Sequence, residues 1–245
     1  MSDQSFLSTK PIPVRERLIF AMDVPSPEEA KALAEQLGDS VQFYKLGLEM
    51  FMAGGYFELI DWFRQRGKKV FADLKFFDVP QTVQSAVAQL QGRGVTFATV
   101  HGNDAILKAA AKAKGEVKIL GVTVLTSLDA GDLKDLGFQC DTSALVLSRA
   151  RRALECGCDG VISSGLEVQA LRANISDKLI VIIPGIRPVE NKTDDQKRTV
   201  DVEDAFLRGA DYIVVGRPIK NAPDPKAKAE EIQRRIAALF EKNVN

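Results

Sequence analysis

One histidine, one tryptophan and three cysteines are spread over 245 residues. A histidine-rich metal site is excluded, because such a site takes several imidazoles. Cys140, Cys156 and Cys158 are odd in number, and the last two are separated by a single residue. That pattern fits neither a disulfide framework nor a four-ligand metal site, so reduced intracellular thiols are expected. An excess of charge of either sign is also missing, since 33 basic residues stand against 33 acidic ones. The overall field gives no reason to expect nucleic acid or an anionic membrane as a partner, and any anion must be held by local groups. No apolar run reaches the roughly 18 residues of a spanning helix. Residues 1–13 are polar, hold two prolines and lack the apolar stretch of a secretion signal. They are expected to form a flexible segment ahead of one domain over residues 14–245, in a cytoplasmic protein.

Apolar residues make up 45% of the chain and charged residues 27%, enough to build a sizeable core. Apolar runs of strand length occur at 18–24, 43–48, 69–75, 97–101, 117–125, 160–163, 179–184 and 212–215. They are nearly continuous in apolar residues, as parallel strands covered on both faces require. Segments of helical period alternate with them at 27–37, 54–66, 80–90, 105–114, 143–155, 168–173, 202–207 and 225–242, with a short extra piece at 133–136. Ser26 and Asp201 are candidate N-caps, and Gly38 a candidate stop. Eight strand-then-helix units without a linker predict one (β/α)8 TIM barrel, a common solution near 250 residues. A doubly wound open sheet is the alternative.

Charged residues interrupt these apolar runs. Asp23 lies near the end of the first, Lys45 within the second, and Asp73 and Lys75 at the end of the third, with Asp78 three residues later. Residues two apart on a strand share a face, so Asp73 and Lys75 should project together with Leu74 opposite. A structural ion-pair network is the plain alternative. Energetics weigh against it, because burying each ion costs several kcal/mol and apolar replacement is often neutral or better. A second set suits phosphate: Pro184-Gly185-Ile186-Arg187 follows the seventh strand and Gly216-Arg217 the eighth. Barrels commonly bind phosphate with those two loops, glycine admitting backbone N–H groups and arginine offering a bidentate fork. The long loop 187–200 is rich in charged and amide side chains, and a loop of that length in a compact domain is often a lid.

With those residues in place, the stretch Asp73-Leu74-Lys75-Phe76-Phe77-Asp78-Val79-Pro80-Gln81-Thr82 resembles the Asp-x-Lys-x-x-Asp signature region of the orotidine monophosphate decarboxylase family. The resemblance extends through Ala21-Met22-Asp23, Tyr44-Lys45-Leu46-Gly47, Thr123 to Ser127, Pro184 to Arg187, Asp195 to Arg198 and Val215-Gly216-Arg217. It implies decarboxylation of orotidine 5'-monophosphate to uridine 5'-monophosphate, without a cofactor. By the same resemblance Lys75 is the proton donor to C6, Asp73 sits beside the departing carboxylate, and Lys45 holds Asp73 and the ribose. Asp23 is similar to a ribose ligand, Thr126 to a pyrimidine contact, and Gln196, Gly216 and Arg217 to phosphate ligands, with Arg187 at the root of the closing loop. Asp78 and Thr82 resemble residues that enter the neighbouring subunit's site, which implies a homodimer with shared active sites.

The Asp-x-Lys-x-x-Asp core is shared with sister enzymes acting on sugar phosphates, some of them metal-dependent, so these stay open as rivals, as does a silent phosphate-ligand sensor. Two departures stand out. Phe77 occupies a position that is often histidine in the family, and His101-Gly102-Asn103-Asp104 replaces a His-Ala pattern followed by paired glycines. His101 is expected to pack rather than to act as a base. No glycine-rich dinucleotide fingerprint follows any strand, in keeping with the expected absence of a cofactor.

Overall fold

A computed structural model describes residues 6–186 and 200–241. Eight parallel strands close into a barrel in chain order. They are β1 (Leu18–Ala21), β2 (Phe43–Gly47), β3 (Lys69–Phe76), β4 (Val95–Val100), β5 (Lys118–Val122), β6 (Gly160–Ile162), β7 (Ile180–Ile183) and β8 (Tyr212–Val215). Each pairs with the next, and β8 returns to β1 through Leu18 opposite Ile213 and Phe20 opposite Val215. The open-sheet alternative is thereby excluded. The helices are α1 (Pro27–Leu37), α2 (Leu48–Met52), α3 (Tyr56–Gln65), α4 (Pro80–Ala88), α5 (Asp104–Lys112), α6 (Ala130–Asp135), α7 (Thr142–Glu155), α8 (Val168–Asn174), α9 (Val202–Leu207), α10 (Arg217–Lys220) and α11 (Pro225–Glu241). No helix among the described residues is long and apolar enough to cross a membrane.

The period of two along each strand sorts the core into two compartments. Ile19, Phe43, Phe71, Phe97, Leu120, Ile180, Ile182 and Tyr212 form a cluster inside the barrel, while Leu18, Phe20, Tyr44, Leu46, Val70 and Ala72 pack outward under the helices. The interior is an aromatic plug: Phe43 stacks on Phe97 with centroids 5.3 Å apart, and Tyr212 meets Phe97 edge-on at 5.2 Å. Such a layer leaves no pore through the barrel.

Local signals set most helix ends. The Ser26 hydroxyl accepts from the Glu29 N–H, Pro27 opens α1, and Gly38 with φ 54 ends it. Asp201 occupies the N-cap position of α9, yet its carboxylate does not cap; it pairs with Arg235 at 2.5 Å. The expected helix over 54–66 begins only at Tyr56, because Gly54 and Gly55 both take positive φ (84 and 63), and α2 precedes them. β1 and β5 end at Ala21 and Val122, short of the expected 24 and 125. Beyond β1, Met22 and Val24 pack into the outer core, whereas Val124 and Leu125, beyond β5, line the barrel mouth.

At the opposite end Asp211, wholly buried, gathers a ring of donors. Its carboxylate accepts from Ser8 Oγ at 2.5 Å, Lys10 Nζ at 3.0 Å, Arg172 at 2.8 Å and the Val181 N–H at 2.9 Å. Phe6 N–H reaches the Leu207 carbonyl, and Ile12 packs against the interior cluster. Residues 6–13 thus cross the N-terminal end of the barrel. Removing one partner of a buried ion network leaves an uncompensated charge, so Asp211→Ala should destabilise the fold by about 3–5 kcal/mol in urea denaturation. A loss below about 1 kcal/mol, the range of an exposed pair, would show that the ring does not hold this end together.

Candidate active site

The C-terminal ends of the strands surround a cavity of about 310 Å³ whose lining includes Asp23, Lys45, Asp73, Lys75, Thr126, Gly185, Gly216 and Arg217. Its floor is the top of the interior cluster, with Ala21, Phe71, Ile162 and Val214 belonging to both. Val124, Leu125 and Ser127, just past β5, supply one wall.

Lys45 points inward because it follows Phe43 by two on β2. Its ammonium stands 3.3 Å from Asp23 Oδ1 and 3.4 Å from Asp73 Oδ2. Gly47 makes room for it, since a Cβ there would lie 3.2 Å from Lys45 Nζ. Asp73 is buried, and its Oδ1 accepts from Lys75 Nζ and from Thr99 Oγ1, each at 2.9 Å. The result is an unbroken alternation Asp23–Lys45–Asp73–Lys75. Lys220 fixes the first member by donating from Nζ to the Asp23 carbonyl at 2.5 Å.

Asp73 and Lys75 meet as their spacing predicts, but not through a regular pleat. Lys75 has φ 47, and no other non-glycine residue among those described has positive φ. The β3–β4 register jumps from Ala72 opposite Ala98 to Phe76 opposite Val100, so three residues of β3 face Thr99 alone. The Lys75 N–H donates to Thr99 Oγ1 at 2.9 Å within this bulge. A left-handed non-glycine residue costs about 1–3 kcal/mol and persists only where its surroundings over-determine it, typically at functional sites.

Burial works against both inner charges. For Asp73 burial would raise the carboxyl pKa, but Lys45 and Lys75 outweigh it and hold it below the ordinary carboxylate value. For Lys45 burial would lower the pKa, but Asp73 and then Asp23 outweigh it and hold it above the ordinary lysine value. Asp73 therefore contributes stability that is complete above its ordinary pKa of 3.8 and is lost as pH falls through its lower folded value. Lys45 contributes stability that is complete below 10.5 and is lost as pH rises through its higher folded value. Between those limits both are charged.

The phosphate-suited turns also converge on the cavity. Gly185 has φ 75, and a Cβ on Gly216 would sit 3.2 Å from the Ala21 Cβ, a contact that a side chain could make only if the neighbour gave way by a few tenths of an ångström. Arg217 opens α10, a turn that apolar periodicity did not reveal because it is only four residues long. Arg187 and Gln196 lie outside the described residues, as does the loop expected as a lid; its flanks, Ile186 and Val200, pair as a parallel bridge.

Asp78 and Thr82 are not part of this chain's cavity. Both are exposed; Asp78 Oδ1 accepts from the Val79 N–H at 2.6 Å, and Thr82 lies in the first turn of α4. His101 does not line the cavity either. It packs against the Phe77 ring at 5.2 Å, with Nε2 3.5 Å from Arg149, and burial, Arg149 and Lys75 together lower its pKa. Thr99 and Lys220 were not singled out from the sequence. The signal for Thr99 was available, since it follows the inward Phe97 by two; Lys220 gives none, being brought to Asp23 only by the closure of β8 onto β1. Among the described residues no group of three or more His, Cys, Asp or Glu side chains could hold a metal ion.

A closed parallel barrel with charges of alternating sign around a buried aspartate at its C-terminal mouth, beside glycine-arginine turns after β7 and β8, defines an enzyme-type site for a small phosphorylated molecule. The sequence pattern of the Orotidine 5'-phosphate decarboxylase / HUMPS family matches residues 16–232, and the chain belongs to that family. It is 64% identical over 237 residues to the Orotidine 5'-phosphate decarboxylase of Methylococcus capsulatus, covering 96% of this chain and 98% of that one. It is 48% identical to the protein of the same name from Nitrobacter winogradskyi, covering 91% and 93%. The crystal structure of Orotidine 5'-phosphate decarboxylase from Lactobacillus acidophilus superposes with a TM-score of 0.80 at 36% identity, over 90% of this chain and 99% of that one.

Replacing Asp73 tests the electrostatic balance. In Asp73→Asn the leading charge that opposes burial is gone, so the Lys45 pKa should fall below 10.5, followed by NMR of the lysine ε-carbon. An unmoved Lys45 titration would show that Asp23 alone sustains the ammonium.

Proposed function

We propose that this chain converts orotidine 5'-monophosphate to uridine 5'-monophosphate and carbon dioxide, a step of pyrimidine biosynthesis, with its own side chains and no cofactor. The observation that carries the reading is the Asp73 carboxylate, fixed between two lysine ammonium groups on the floor of a cavity with a phosphate-suited rim. The bond between C6 and the carboxylate carbon breaks with its electron pair left on C6. Lys75 Nζ then gives a proton to C6, an N–H bond breaking as the C–H bond forms, and regains a proton from water. Asp73 stands beside the departing carboxylate, and Lys45 holds Asp73 and the ribose. Asp23 takes the ribose hydroxyls, Thr126 the pyrimidine edge, and the Gly216 N–H and Arg217 the phosphate. Arg187 and Gln196, on the segment after β7, complete the phosphate site.

The ring has no ready electron sink, so charge stabilisation falls to the fixed ammonium. At effective protein permittivity, unit charges near 4 Å interact by roughly 4 kcal/mol, which one lysine contributes and no more. Preorganisation supplies the remainder: Lys75 is held by its backbone turn and by Asp73 before substrate arrives, so little reorganisation is left for the transition state.

A homodimer with shared sites fits the placement of Asp78 and Thr82. They sit on an exposed rim with Phe77 (67% exposed) and Val79 (62% exposed), away from their own cavity and available to a neighbour's. The same reading places the enzyme in the cytoplasm, acting on a small nucleotide, with no nucleic-acid or membrane partner.

Ultraviolet absorbance of orotidine 5'-monophosphate mixed with chelator-treated enzyme should change rapidly as carbon dioxide is released, while folded Lys75→Ala stays flat. Substantial turnover by that variant would remove Lys75 as proton donor, and a flat trace from the wild type would overturn the assignment. Shared sites predict complementation. Inactive Lys75→Ala and Asp78→Asn chains, mixed under proven subunit exchange, should recover about a quarter of wild-type activity, because half the dimers are hybrid and each hybrid keeps one intact site. No recovery would count against sharing.

A further inference from the structure

We propose that Thr99 is a positioning residue for the reaction: its single hydroxyl sets the backbone of Lys75 and one carboxylate oxygen of Asp73 at once, so that ammonium and carboxylate are presented as a unit. The inference rests on the decarboxylase reading above. Thr99 is wholly buried on β4 and projects inward, two residues after Phe97. Its oxygen accepts from the Lys75 N–H at 2.9 Å, and its one proton goes to Asp73 Oδ1 at 2.9 Å. Neither direction can reverse, because an amide N–H only donates and an ionised carboxylate only accepts. A hydroxyl in that position therefore has one orientation, and each bond polarises the other.

The geometry around it explains why such a clamp is needed. Three residues of β3 are accommodated opposite Thr99 alone, and the last of them, Lys75, is left-handed. The strained residue is thus the one whose amide Thr99 holds. The same oxygen of Asp73 also receives Lys75 Nζ at 2.9 Å. Backbone N–H, hydroxyl, carboxylate and ammonium close a ring that begins and ends on Lys75. Opening the ring at Thr99 frees the Lys75 backbone to relax and the Asp73 carboxylate to rotate, and both displace Nζ. Asp23, just past β1, and the Gly216-Arg217 turn after β8 are not in this ring, and Lys45, on β2, meets Asp73 through Oδ2, not the oxygen that Thr99 holds. Loss of the hydroxyl should therefore be felt in the chemical step rather than in binding. The hydroxyl is also among the groups that keep the Asp73 carboxyl ionised, after Lys45 and Lys75.

The test compares wild type, Thr99→Val and Thr99→Ser with orotidine 5'-monophosphate as substrate. Thr99→Val keeps the shape and deletes both bonds; kcat should fall about 10- to 100-fold, the scale of a misplaced reacting group, with KM within about 3-fold. The acid limb of its kcat–pH profile should move to higher pH, since a carboxylate that loses a hydrogen bond is more easily protonated. Thr99→Ser keeps the hydroxyl and should restore kcat to within about 3-fold of wild type and return the acid limb to its place, which a packing role would not predict. If Thr99→Val does not fold, Thr99→Ala carries the same comparison. A valine or alanine variant with wild-type kcat and an unmoved acid limb overturns the inference, as does a serine variant as impaired as valine. Those results leave the decarboxylase reading standing, whereas a wild type that releases no carbon dioxide overturns both.

Discussion

Everything at the mouth of this barrel depends on one buried carboxylate. Asp73 is removed from water, which for an isolated ion costs several kcal/mol even after relaxation, and it stays ionised only because Lys45 and Lys75 flank it. The dependence is mutual. Lys45 is itself largely withdrawn from water, and Asp73 and Asp23 hold it as an ammonium. No single member of the chain can be placed before the others, so the set forms only when β1, β2 and β3 come into register. Pairing of these consecutive strands is what brings them together: the register Ala21 opposite Lys45, and Gly47 opposite Asp73, brings three strand ends to one level.

The aromatic layer beneath does more than fill volume. Phe43, Phe71, Phe97 and Tyr212 close the barrel from below, so the charged layer faces solvent from one side only. Electrostatic interactions over such a floor are stronger than in open water, because low-polarity surroundings screen them less. The same residues decide the side on which chemistry can occur. An inward position one step further along each strand, Lys45 after Phe43, Asp73 after Phe71, Thr99 after Phe97, exchanges an apolar side chain for a polar one. The boundary between core and site is therefore a single residue period along three adjacent strands.

That period is also why so much was legible in advance. Asp73-x-Lys75 within an apolar run, Lys45 inside another and glycine-arginine after the last two strands could be read from spacing, because strand geometry translates spacing directly into faces. What spacing could not show was the left-handed turn at Lys75. A regular pleat would also have put Asp73 and Lys75 on one face, and only the register jump to β4 distinguishes the two. α2 and α10 were missed because helices of one turn carry no periodic signal. Asp201 sits where an N-cap belongs, and Arg235, distant in sequence, takes its carboxylate instead. Propensity proposes such contacts, and tertiary pairing overrides them. Asp78 and Thr82 show the complementary limit: their sequence context marks them as site residues, while one chain's geometry keeps them outside its own cavity.

A comparison within the molecule shows how a working ion network differs from a structural one. Both ends of the barrel hold a buried aspartate among basic groups. Asp211 is wholly buried, its carboxylate is met by side chains and by a strand N–H, and residues 6–13 lie over it. The basic groups around it donate to the carboxylate and to neighbouring backbone carbonyls, those of Leu179 and Gly209 among them. Asp73 is satisfied as well, but its partner Lys75 keeps about a third of its side chain accessible (35%) and faces the cavity. That lysine is also the one non-glycine residue with positive φ among those described. Strain is unnecessary for stability, since an unstrained pair would serve the fold better. It is intelligible if the ammonium must be held where substrate will be and not where the chain would relax to. Burial and pairing alone do not separate the two networks; an adjoining cavity and a backbone held away from its minimum do.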